Sequence, residues 1–184
     1  MDELVWARKP KGFVPARVMA DNHYTRQSPG HPMWTRPGYN HVLYAEFDQG
    51  KALWCWWRPK WEDGRPGTTR KDKLRAIECT MFRCEGKTPL ASTLIAAAVQ
   101  SLQSQEAMSD LWLHNAGRVD LLITGVNASK TNRRRARTSL PGACYRHAGW
   151  LPLDKRTSRA ATWLHLPWSN PHQQVAEPQL TLWE

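Results

Sequence analysis

Residues 121–126 read Leu-Leu-Ile-Thr-Gly-Val, an apolar run with no charged side chain. The run does not alternate between a dry and a wet face, so it predicts a strand covered on both sides. Such a strand belongs to a sheet flanked by helices. The clearest helix lies upstream of it. Thr88 is placed to cap that helix and Pro89 to take its first position. Leu90, Leu94, Ala98 and Leu102 then recur every four residues, with Ile95 and Val99 beside them, as one apolar stripe.

The remaining elements fall into order around this pair. Residues 4–7 read as a first strand, and Pro15 opens a short helix over 16–24. Residues 28–39, rich in Pro, Gly and His, form a long loop. Residues 41–47 and 52–57 are two strands joined by a turn at Asp48-Gln49-Gly50. A charged surface loop over 62–72 precedes a strand over 75–83. A short helix over 143–148 and a last strand over 161–166 complete the pattern. The order predicts an α/β (α+β) domain over residues 1–166, with a single mixed β-sheet flanked by helices. Past Pro167 the chain is polar and aperiodic, which predicts a flexible C-terminal tail over 167–184.

Hydrophobic residues make up 41% of the 184, enough to expect a packed core rather than disorder. No apolar run reaches the roughly 18 residues of a membrane span. The start, Met-Asp-Glu-Leu-Val-Trp, lacks the basic and apolar regions of a signal peptide. Cys55, Cys79, Cys84 and Cys144 show no Cys-x-x-Cys spacing, which argues against a zinc site or a disulfide framework and for reduced thiols in a cytoplasm. The formal net charge is +10, so a polyanionic partner is expected. Eleven tryptophans exceed ordinary usage; most are expected in the core, while some can stack a nucleobase.

The polar and titratable groups gather after the strand over 121–126. Asn127 stands at its end. Lys130, Arg133, Arg134, Arg135 and Arg137 place five cations in eight residues. Charge runs are usually solvated loops. This one follows a candidate site strand, so contact with the phosphates of double-stranded DNA is the better reading. A base to be modified in a duplex must leave the stack, and Trp34, Tyr39 or Trp57 could hold it. Elsewhere, His23 and Tyr24 end the first helix, and a histidine there can move a proton or bind a metal. No histidine has HExxH-type spacing, so a metal is possible only through a non-local arrangement. Arg83, at a strand end, either sits in water or clamps a carboxylate or phosphate. Ser92 and Thr93, in the first turn of the long helix, either cap it or hold an anionic donor. Glu78 lies mid-strand; the solvated face is the expected side, and a base in the cleft the alternative.

Residues 145–150, Tyr-Arg-His-Ala-Gly-Trp, resemble the Tyr-x-x-x-Gly-Phe segment of the GNAT acyltransferase superfamily, and the element order is similar to the GNAT order. That resemblance implies a tyrosine that protonates the leaving thiolate of coenzyme A. Residues 78–83 with 90–95, the block 126–150 with its Pro-Gly-x-Cys-Tyr centre, and Asn22-His23-Tyr24 look like segments of the phage Mom family of DNA-modifying enzymes. That family converts an adenine amino group to an acetamido derivative. Together the similar segments span roughly residues 15–155. They imply a transferase moving a small acyl, aminoacyl or acetamido group to a base amine, with an acyl-CoA or another activated donor and an anti-restriction role. Tyr145 and His23 would manage protons, Tyr24 and Asn127 would orient the base, and Arg83, Ser92 and Thr93 would hold the donor.

The chain departs from these patterns twice. Where GNAT enzymes carry a glycine-rich pyrophosphate loop, residues 84–91 read Cys-Glu-Gly-Lys-Thr-Pro-Leu-Ala, with one glycine and a proline that lacks a backbone donor. Asn127 stands where the Mom group is expected to be acidic, and asparagine cannot act as a general base. At the far end, Gln179, Leu180, Leu182 and Trp183 resemble the bacterial sliding-clamp-binding pentapeptide, which implies a clamp as partner. Two alternatives stand beside the DNA-modifying reading. One is a conventional GNAT N-acetyltransferase acting on a small amine, a protein or tRNA. The other is a non-catalytic DNA-binding or clamp-interacting protein.

Overall fold

The computed structural model describes residues 6–60, 72–86, 89–115, 119–127, 129–130, 140–154 and 161–169. A single mixed sheet of seven strands runs through them in the order β1-β2-β3-β4-β5-β7-β6. In chain order, β1 is Ala7–Lys9, β2 Tyr39–Phe47, β3 Gly50–Arg58 and β4 Ala76–Glu85. Then come β5 at Leu121–Asn127, β6 at Leu151–Leu153 and β7 at Ala161–Pro167. The helices are α1 (Val14–Asp21), α2 (Ala91–Gln100), α3 (Gln105–Asp110) and α4 (Ala143–His147). The protein is thus an α+β domain, as its element order predicts. Among the described residues no helix is long and apolar enough to cross a membrane.

Neighbouring strands pair antiparallel except β4 and β5, which run parallel. Their shared ladder runs from Ala76↔Leu121 to Cys79↔Thr124 and stops there. β4 continues to Glu85 against β3, and β5 to Asn127 against β7. The local cause is in β4. Cys79 pairs with Trp56 and Met81 with Cys55, so Thr80 is an extra residue without an opposite partner. A bulge bends its strand and increases its twist, here at the rung where β4 leaves β5.

Alternating side chains cover two faces. On one, Leu43, Trp54, Trp56, Ile77 and Leu122 pack under Ile95, Ala98, Leu102, Met108 and Leu111 of the α2–α3 layer. On the other, Val42, Tyr44, Leu53, Cys55 and Met81 meet Ala16, Met19 and Ala20 of α1. Most tryptophans of the described core are packing residues: Trp54, Trp56 and Trp150 are fully buried.

Several expectations shift. The first strand is Ala7–Lys9, while residues 1–5 lie outside the described set. α1 stops at Asp21, ahead of His23 and Tyr24, so those two sit on the following turn. The long helix begins at Ala91 with Leu90 as its cap; Leu90 is exposed, and Thr88 is outside the described residues. That helix ends at Gln100. A 3-10 turn and then α3 follow, with the Ser104 hydroxyl accepting the Ala107 N–H at 3.2 Å. The edge strand β6 was not expected, since Pro152 sits inside it; an edge position tolerates the missing donor. β7 reaches Pro167, and the Trp168 N–H donates to the Asp120 carbonyl at 3.0 Å, so the ordered sheet passes residue 166. Residues 170–184, with Gln179, Leu180, Leu182 and Trp183, are outside the described set.

Candidate functional site

The gap between β4 and β5 joins two cavities. Tyr24, Cys79, Thr80, Met81 and Gly125 line both. The smaller cavity, about 250 Å³, is closed by residues 140–145. The larger, about 710 Å³, lies under the loop that follows α1.

Tyr145 anchors the smaller cavity. Gly142, in the left-handed conformation at φ 75°, turns the chain into α4; a Cβ there would meet Leu164 Cδ1 at 2.6 Å. That turn aims Tyr145 into an aromatic box of Trp54, Phe82 and Trp150, with ring centroids 6.0, 6.0 and 5.3 Å away. Its hydroxyl is 3.5 Å from Cys79 Sγ. Burial pushes this phenol well above the usual tyrosine range, and Cys79 and Cys144 add to the rise. The same burial raises the Cys79 and Cys144 thiols. The phenol therefore stays protonated near neutral pH, and neither cysteine is a ready thiolate nucleophile.

His23 and Tyr24 meet Asn127 at the rim. The two rings stack at 4.3 Å. His23 Nδ1 accepts the Thr25 N–H at 3.3 Å and lies 2.8 Å from Thr25 Oγ1. Burial lowers its pKa from 6.5 to about 4; the Arg83 charge helps, and a bond to the Phe82 backbone opposes. Near neutral pH this imidazole is neutral, with Nδ1 engaged by Thr25 and the ring stacked on Tyr24. The Tyr24 hydroxyl is bonded by the Asn127 backbone, which partly offsets the upward pull of burial. The Asn127 side chain turns back on itself, with Oδ1 accepting from Ser129 N at 3.0 Å and Ser129 Oγ at 2.8 Å.

None of the expected donor-holding residues lines either cavity. Arg83 Nε pairs with Glu85 Oε1 at 2.7 Å and its Nη1 donates to the Asn22 carbonyl at 2.6 Å, which ties β4 to the end of α1. Ser92 and Thr93 line neither cavity, and the Thr93 N–H is taken by the Leu90 carbonyl. Lys130 is exposed on the turn after β5, its N–H bonded to the Asn127 carbonyl. Arg133, Arg134, Arg135 and Arg137 are outside the described residues.

The larger cavity corrects the expectation for Glu78. It does not sit on a solvated face: it is 4% exposed, and Oε1 lies 2.7 Å from Arg36 Nη1. A buried carboxylate needs a charged or hydrogen-bonding partner, and the loop supplies Arg36. The Arg36 guanidinium sits 5.5 Å from the Trp57 ring centroid, and Asn40 Nδ2 holds the Arg36 and Gly38 carbonyls at 3.0 Å each. The near-buried Arg26 organises the rest of the loop. Its Nε meets Asp21 Oδ1 at 2.7 Å, and its two terminal nitrogens donate to the carbonyls of Met33 and His31. Trp34 lines the cavity with Nε1 donating to the Lys11 carbonyl at 2.6 Å. Opposite, the Trp163 indole lies on Gly125, where a Cβ would come within 3.2 Å of the ring. The sequence around Trp163 carries no motif; the signal for it is Gly125, a glycine inside the central apolar strand that marks a close approach. Tyr39 points to the other face and does not enter the cavity.

Among the described residues no group of three or more His, Cys, Asp or Glu could hold a metal ion. No family model, no curated protein and no solved structure matches the chain.

Proposed function

We propose that this protein is a GNAT-like, Mom-like transferase that moves a small acyl, aminoacyl or acetamido group onto the amine of a DNA base. The observation that carries the reading is the pair of cavities meeting where β4 leaves β5, with the protonated Tyr145 in one and the Glu78 carboxylate in the other. The strand order, with its single parallel pair at the gap, supports the GNAT-like part. The net charge of +10 supports a polyanionic acceptor.

The chemistry follows from where the groups stand. The larger cavity falls within the usual volume range of a ligand site and receives the base between Trp34 and Trp163. A nucleobase amine shares its lone pair with the ring and is a weak nucleophile. It needs a base as it attacks, and Glu78 takes that proton. The activated carbon of the donor lies in the gap beside Thr80. The new N–C bond forms there, the bond to the leaving group breaks, and a tyrosine hydroxyl, from Tyr145 or the half-exposed Tyr24, protonates the departing atom. The smaller cavity suits a small transferred group. A sliding clamp remains a proposed partner through Gln179–Trp183.

The engagement of Arg83 by Glu85 and Asn22, and the absence of Ser92 and Thr93 from the lining of both cavities, favour one other reading: a non-catalytic DNA-binding protein on the same fold. Genomic DNA from bacteria expressing the protein, digested to nucleosides and weighed, tests the choice. A new nucleoside mass names the transferred group. DNA of unaltered composition, with DNA binding retained, supports the binding module.

A further inference from the structure

We propose a second base-stacking site, at Trp112 on the face of the sheet opposite the larger cavity, that grips another nucleotide of the bound nucleic acid. This rests on nucleic acid as the acceptor. Trp112 follows α3 and is 50% exposed, on a left-handed backbone at φ 54° that bulky side chains disfavour. Arg58, itself buried, holds that turn: its Nη1 donates to the carbonyls of Leu111 at 3.2 Å and Trp112 at 3.1 Å. The indole lies parallel to Tyr39, 5° between planes and 6.0 Å between centroids. The Arg58 guanidinium stands 5.8 Å from the Tyr39 ring.

Here a strained turn and an internal arginine hold a flat indole out in the solvent, backed by a second ring and a cation. A nucleobase fits that arrangement: it offers a π-face of matching size, and its strand carries the negative charge that a +10 chain attracts. The ring pair lies on the face of the sheet that packs against the α2–α3 layer, opposite the larger cavity.

The test is fluorescence anisotropy with a labelled single-stranded oligonucleotide, using the full chain and the variants Trp112→Ala and Trp112→Phe. Trp112→Ala is expected to weaken binding roughly tenfold, the loss of one stacked base. Trp112→Phe keeps a ring at the same turn and is expected to retain most of the affinity. The dependence on salt is expected to stay the same, because no phosphate contact is removed. Wild-type affinity in Trp112→Ala, or equal loss in both variants, overturns the site alone. No binding by the wild-type chain overturns it together with the nucleic-acid acceptor.

Discussion

The Tyr145 hydroxyl meets the Cys79 sulfur at 3.5 Å, at the last rung that β4 shares with β5. The contact joins α4 to the point where the sheet opens. Tyr145→Phe keeps the ring among Trp54, Phe82 and Trp150 and removes only the hydroxyl. The melting temperature should change by a few degrees at most. If this phenol is the acid, the modification rate should fall about 10²-fold or more. A full rate in Tyr145→Phe assigns the proton to Tyr24.

Burial also fixes the alkaline limit of stability. The thiol of Cys55 is pushed up to about 11, and Cys79 and Tyr145 rise as well. Above about pH 9 the unfolded chain releases these protons while the folded chain keeps them, so stability falls as pH rises. Urea midpoints measured from pH 7 to 11 should decline above about 9.

His23 governs the acidic side with the opposite sign. Its folded pKa is about 4 against 6.5 in the open chain. Above 6.5 both states are neutral and the contribution is complete. Below it the unfolded state takes up a proton that the folded state refuses. Stability is then lost between pH 6.5 and 4, by about 3 kcal/mol at about 1.4 kcal/mol per unit. The slope of urea midpoint against pH should be shallower in His23→Gln; an unchanged slope would contradict the burial argument.

Arg26 should decide whether the larger cavity keeps its wall. Arg26→Met removes the bonds to Asp21, His31 and Met33 together. Hydrogen exchange of residues 27–36 should accelerate while β2 and β3 stay protected. Uniform acceleration across the sheet would mean that Arg26 supports the whole fold instead.

Local patterns made much of this molecule legible before its structure. The turn-joined pair β2–β3, the apolar strand β5 and the short helix carrying Tyr145 can each be recognised from a local stretch of sequence. What escaped reading depends on distant partners. Glu78 looks like a surface charge until Arg36, 42 residues away in sequence, closes on it. Arg83 looks like a free anion clamp until Asn22 and Glu85 occupy it. Trp163 becomes a cavity wall only because β7 lies beside Gly125. The break between α2 and α3 came from Ser104, whose capping role competes with the continuing apolar stripe through Leu102.

The central claim is that Glu78 activates a base amine for transfer across the gap. Its most direct measurement compares nucleosides from cells expressing the wild-type chain and Glu78→Gln, at matched protein levels and with DNA binding checked for both. The account predicts a new nucleoside mass with the wild type and at least about a hundredfold less of it with Glu78→Gln. Equal amounts of modified nucleoside from the two would contradict it.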